Sequence, residues 1–120
     1  MTVLDPQSIL SEADVLLEKA KEELCRPDED VVHYMVCRYA YKAIEKYMAG
    51  FLVRNGIRIH NSTSINDLLG QCRTINPDFT KLNLDPLTRA GDPQDLWMNK
   101  HTANEFIHLA EQTKNQVGAN

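Results

Sequence analysis

Apolar residues return along most of this chain at the three- and four-residue intervals of a helix. Ile9, Ala13, Leu16, Leu17, Ala20 and Leu24 form the first such series. Asp5 and Pro6 stand at its head, an N-cap residue followed by a proline at the first helical position. Pro27 closes it, because proline has no amide hydrogen with which to continue. A second and longer helix is predicted from about Asp28 to Asn55, opened by an acidic run that suits the positive end of a helix dipole. Val32, Val36, Ala40, Ala43, Tyr47 and Phe51 share one of its faces. The opposite face carries Tyr34, Arg38, Tyr41, Glu45 and Met48, so it is only half polar. A helix with apolar residues on both sides is central in a bundle or covered by a partner. Gly56 is the glycine expected just past the helix end, with Ile57 as the hydrophobic residue after it.

A short third helix is expected over Ile65, Leu68, Leu69 and Cys72, with Ser62 and Thr63 supplying capping hydroxyls. Three prolines and a glycine then predict loops, with one helical turn around Leu82–Leu87. The last helix is expected from Asp95 or Asn99 to Val117, on a stripe of Ala103, Phe106, Ile107, Ala110 and Val117. Trp97 reads as an anchor in the core or at a bundle end. No stretch alternates strictly enough to predict a strand. The fold class is therefore all-α: a single domain over residues 1–120, an antiparallel up-and-down bundle of four to five helices.

Composition narrows the function classes. The net charge is −4, so nucleic acid would need a local basic patch. Cys25, Cys37 and Cys72 are odd in number and lack a C-x-x-C spacing. That pattern favours neither a disulfide framework nor a zinc knuckle and suggests a reducing, cytoplasmic compartment. The longest apolar stretch, Met48 to Val53, is far too short to span a membrane. No metal or cofactor is implied by any cluster or glycine-rich loop.

The segment from Tyr34 to Leu69 resembles the HEPN family, the "higher eukaryotes and prokaryotes nucleotide-binding" helical domains. The likeness is carried by AYKAIEK at Ala40 to Lys46, NGI at Asn55 to Ile57 and INDLL at Ile65 to Leu69, in that order and spacing. It covers roughly residues 10 to 72 and extends to the last helix only as a general pattern. The resemblance implies an antiparallel helical bundle that forms a homodimer and binds a nucleotide or single-stranded RNA. It also implies a minimal nucleotidyltransferase as partner, in a toxin–antitoxin arrangement. One branch of the family consists of metal-independent ribonucleases with an Arg-x(4–6)-His signature.

Arg54 and His60 match that signature. Metal-free RNA cleavage needs a base near the ribose 2′-OH, a role suited to histidine. It also needs a fixed cation for the charge developing on phosphate, which a guanidinium supplies. Arg26 and His33 match as well, so the pattern is cheap. In the catalytic branch the pair stands later in the domain, and here no arginine precedes His101 or His108 at the permitted spacing. Where many relatives place a histidine before the third helix, this chain has Thr63. Arg54 has a structural alternative: a cation in the last turn of a helix offsets the dipole and its stem covers the bundle end. His101, Glu105 and His108 share a helix face that is expected to be solvated rather than metal-binding. Arg38 and Glu45, flanked by Tyr34 and Tyr41, read either as polar contacts within the bundle or, with those tyrosines, as a nucleotide site or subunit interface, since tyrosine and arginine favour interfaces. The expected function is a binding or interaction module, with ribonuclease as the alternative.

Overall fold

The computed structural model describes residues 5–59, 64–84 and 100–118. Within them lie α1 (Pro6–Leu24), α2 (His33–Arg54), α3 (Ile65–Ile75) and α4 (Lys100–Gly118), with short 3-10 turns at Asp28–Asp30 and Pro77–Lys81. No strand occurs among the described residues, and the chain is an all-α bundle. No described helix is long and apolar enough to cross a membrane. His60, Ser62, Thr63, Leu87, Asp95, Trp97 and Asn99 lie outside the described residues.

The first helix starts as its sequence predicts. The Asp5 carboxylate accepts from the Gln7 amide at 3.1 Å and from the Ser8 hydroxyl at 3.0 Å, and Pro6 opens the helix. Such a cap contributes about 1 kcal/mol. The second helix begins later than the acidic run suggests. Asp28–Asp30 form their own 3-10 turn, and α2 starts only at His33. Between the two, Val31 and Val32 are extended, a conformation that β-branched side chains accept readily. The Val32 amide donates to the Glu23 carboxylate at 3.2 Å, which satisfies the backbone without further helix. Val32 is accordingly not on the core face; it is 47% exposed.

Gly56 ends α2 as expected, at φ +79°. The Ile57 amide reaches the Leu52 carbonyl at 2.9 Å and the Gly56 amide the Val53 carbonyl at 3.0 Å. This paired closure needs a residue tolerant of positive φ at Gly56, and it turns Ile57 back against the core. For α3 the cap is Ser64, whose hydroxyl accepts from the Asp67 amide at 3.1 Å. A 3-10 turn that the sequence reading did not place forms at Pro77–Lys81; Leu82 to Leu84 have no helical structure, and the rest of the turn expected at Leu82–Leu87 lies outside the described residues. Asn76-Pro77-Asp78 explains the 3-10 turn: the Asn76 side chain accepts from the Asp78 amide at 3.0 Å, and Pro77 sits where its missing amide is harmless.

α2 is the central helix. Val36, Ala40, Ala43, Ile44, Tyr47, Met48, Phe51 and Leu52 are all buried. Met48, placed by sequence on the half-polar back, is fully enclosed. α1 runs antiparallel to α2, since Glu12 meets Lys46 at 3.2 Å while Lys19 lies over the Tyr39 ring. The approach is close: a Cβ on Gly50 would stand 2.6 Å from Leu10 Cδ2. α1 also opposes α4, through Lys21 with Glu111 and Asp14 with Lys114. α2 and α4 therefore point the same way. Phe51 and Phe79, both fully buried, meet at 4.8 Å between centroids and tie the 3-10 turn to α2. Burying each such ring contributes about 1.5–3 kcal/mol.

Candidate functional site

Two groups of residues were singled out by sequence, and they lie at opposite ends of α2. Near its start, Tyr34, Arg38, Tyr41 and Glu45 recur at helical intervals on one stripe. Tyr34 and Tyr41 are half-buried and pack against the core. Arg38 is exposed, and its Nη1 donates to the Tyr34 hydroxyl at 3.2 Å. Glu45 is half-buried and forms no hydrogen bond or ion pair among the described residues. Burial raises its pKa above the usual carboxylate value, while Lys42 and Lys46 pull in the opposite direction. Burial also raises the Tyr41 pKa, with the Glu45 charge adding to it. The stripe thus presents two aromatic rings, one exposed guanidinium and one carboxylate without a direct partner among the described residues.

At the other end, Arg54 occupies the last turn of α2. Its Nη2 donates to the Val117 carbonyl at 3.1 Å, and its guanidinium lies 5.6 Å from the centroid of the Phe51 ring. The contact spans 63 residues of sequence and joins the C-terminal ends of α2 and α4. Both ends expose carbonyls with partial negative charge, and a guanidinium between them offsets both. Arg54 is therefore held as a bundle-end clamp. His60, the other half of the Arg-x5-His match, lies outside the described residues. At the second match, Arg26 pairs with Glu23 at 3.3 Å and His33 opens α2.

His101 and His108 are exposed on α4 and Glu105 is half-exposed. The His101 imidazole is 3.9 Å from the Glu105 carboxylate, a loose surface pair. Among the described residues no three histidine, cysteine, aspartate or glutamate side chains are grouped to hold a metal. Cys37 and Cys72 are buried, and burial pushes each thiol up to about 12. They are inert neutral groups at neutral pH. The Cys72 thiol donates to the Met48 carbonyl at 3.9 Å.

Sequence reasoning passed over a further set of cations. Arg73 donates from Nε to the Phe79 carbonyl at 3.4 Å and from Nη2 to the Leu82 carbonyl at 3.2 Å. Lys81 lines a cavity of about 270 Å³ together with Leu82, Gln112, Asn115 and Gln116. These residues are scattered in sequence, and no local pattern announces their convergence. No family model, no curated protein and no solved structure matches this chain.

Proposed function

We propose that this chain is a HEPN-like helical interaction module that pairs with a second copy of itself through the Tyr34–Arg38–Tyr41–Glu45 stripe of α2. The observation that carries the proposal is the relation between Arg38 and Glu45. They stand on one stripe two turns apart, about 10.5 Å along the helix axis, too far to neutralise each other directly. Among the described residues, Arg38 has only a tyrosine hydroxyl as partner and Glu45 has no direct partner. A second α2 laid antiparallel, with a two-fold axis near Tyr41, sets Arg38 against the partner's Glu45 twice. Tyr34 and Tyr41 flank these pairs and supply apolar area at low entropic cost.

A nucleotide or RNA strand is the ligand class that the family resemblance supplies. A minimal nucleotidyltransferase is the protein partner that it supplies. The ribonuclease alternative has less support, because Arg54 is engaged by the α4 carbonyl at Val117.

Sedimentation velocity and light scattering test the pairing. Wild type should be dimeric at micromolar concentration, and Arg38→Glu should be monomeric. The exchange Arg38→Glu with Glu45→Arg should restore the dimer. A monomeric wild type, or a dimer unaffected by either charge reversal, overturns the proposal.

A further inference from the structure

Asn55 and Gly56 form the only Asn-Gly pair in the sequence, and they stand where α2 stops. Such a pair has a chemistry of its own. The backbone amide after an asparagine can attack the side-chain carbonyl, and glycine leaves that approach open because it has no Cβ. At Gly56 even an added Cβ would meet nothing within 4 Å. Both residues are exposed, so water reaches the reacting atoms.

The closed turn occupies both reacting groups. The Gly56 amide, the nucleophile, donates to the Val53 carbonyl at 3.0 Å. The Asn55 side chain, which carries the electrophilic carbon, donates from Nδ2 to the Phe51 carbonyl at 2.8 Å. The Ile57 amide fastens the turn to the Leu52 carbonyl at 2.9 Å. Attack requires the Gly56 amide to leave Val53 and the Asn55 side chain to leave Phe51. Arg54, next in sequence to Asn55, bonds Val117 and so ties this turn to the end of α4.

We infer that Asn55 is a site of self-modification by deamidation, held shut by the stop of α2, and that the product keeps the stop open. When the turn opens, the Gly56 nitrogen loses its proton and bonds to the Asn55 side-chain carbon. The bond from that carbon to Nδ2 breaks, and the nitrogen leaves with the proton as ammonia. Water then opens the five-membered imide at one of its two carbonyls, giving aspartate or isoaspartate. No oxidant or reductant takes part. Either product replaces an amide donor with a carboxylate, which only accepts and cannot bond the Phe51 carbonyl. The new anion also stands at the negative end of the helix dipole. Isoaspartate lengthens the main chain by one carbon, which displaces the Gly56 amide from Val53. The chain thus carries a one-way timer that runs only while the end of α2 is open. This chemistry is independent of the α2 pairing, which uses other residues.

The test follows Asn55 in the full chain at mildly alkaline pH, by peptide mass mapping and by enzymatic methylation of isoaspartate. Conversion at Asn55 is expected in guanidinium. In native buffer it should be slower by about tenfold or more, as for a reaction that waits on local opening. Arg54→Ala releases the end of α4 and should narrow that ratio; its own rate in guanidinium corrects for the changed neighbour. Asn55→Asp, which reproduces one product, should melt at a lower temperature than Asn55→Ala, which loses the bond to Phe51 without gaining a charge.

No conversion in guanidinium, or equal rates in the two solvents, overturns the inference. A wild-type ratio in Arg54→Ala does the same, as does Asn55→Asp melting with or above Asn55→Ala.

Discussion

The buried hydroxyl of Tyr47 donates to the Asp14 carboxylate at 2.5 Å, and the same Asp14 oxygen lies 3.4 Å from the Lys114 ammonium. One carboxylate thereby joins α1, α2 and α4. Tyr47→Phe should destabilise the fold by about 1.5–3 kcal/mol, the range for a hydrogen bond to a charged group, measured by urea denaturation. Burial, then the Asp14 hydrogen bond and nearby negative charge, raise the Tyr47 pKa far above its ordinary value of 10.0. The unfolded chain releases this proton at a pH where the folded chain keeps it. The contribution is therefore fully present below pH 10.0 and is lost as pH rises above it. Wild type should lose stability above that pH more steeply than Tyr47→Phe. Parallel alkaline profiles for the two would contradict this.

Thiol chemistry should separate the three cysteines. Cys25 is exposed, whereas Cys37 and Cys72 are buried and pushed up to about 12. Iodoacetamide at neutral pH should add one group to the native chain, at Cys25, and three in concentrated guanidinium. Rapid native labelling of Cys72, read by peptide mass mapping, would show that α3 opens away from Met48.

Two helical glycines should respond to alanine in opposite ways. Around Gly70 there is nothing within 4 Å of an added Cβ, so Gly70→Ala should stabilise by about 0.5–1 kcal/mol through helix propensity. At Gly50 the same Cβ would lie 2.6 Å from Leu10. Overpacking of this kind costs about 1–3 kcal/mol, enough to cancel or exceed the propensity gain. Thermal melts should rank Gly70→Ala above wild type and Gly50→Ala at or below it. Shortening Leu10 to alanine in the Gly50→Ala background should recover part of the loss.

Arg54 and His60 should behave as structural and neutral positions respectively. Arg54→Ala removes a charged donor from a partly exposed carbonyl and should cost about 1–2 kcal/mol. His60→Ala should leave stability nearly unchanged. Incubation with single-stranded RNA and excess chelator checks the alternative. Strong wild-type cleavage that disappears in both single variants would establish the ribonuclease reading instead.

What could be read in advance follows from the range of the interactions. The Asp5–Pro6 start of α1 and the Asn55-Gly56-Ile57 stop of α2 are set by residues within one turn, and they were legible. So was the core stripe of α4, because periodicity reports burial directly. The start of α2 was not: an acidic run favours a helix terminus, but the Glu23 carboxylate, nine residues earlier, captures the Val32 amide and holds Val31 and Val32 extended. Local chemistry gives no sign of that contact. The candidate stripe on α2 was visible because its four residues repeat on one face. The Arg73 tie to the 3-10 turn was not, since its acceptors at Phe79 and Leu82 lie six and nine residues away and are met only when the chain turns back.

The Arg54–Val117 bond makes the two chain segments that end there report on one another. The last turn of an ordinary helix frays alone, and its amides exchange with solvent long before the core opens. Here the Val117 carbonyl in the last turn of α4 is tethered to the Arg54 side chain of the central helix, whose ring neighbour Phe51 is packed against Phe79. Loosening at the carboxyl-terminal turn thus passes into the Gly56 turn and the 3-10 segment. Truncation before Val117 should act on this protein as a lesion of α2, and amide exchange at Asn55 and Gly56 should accelerate with it.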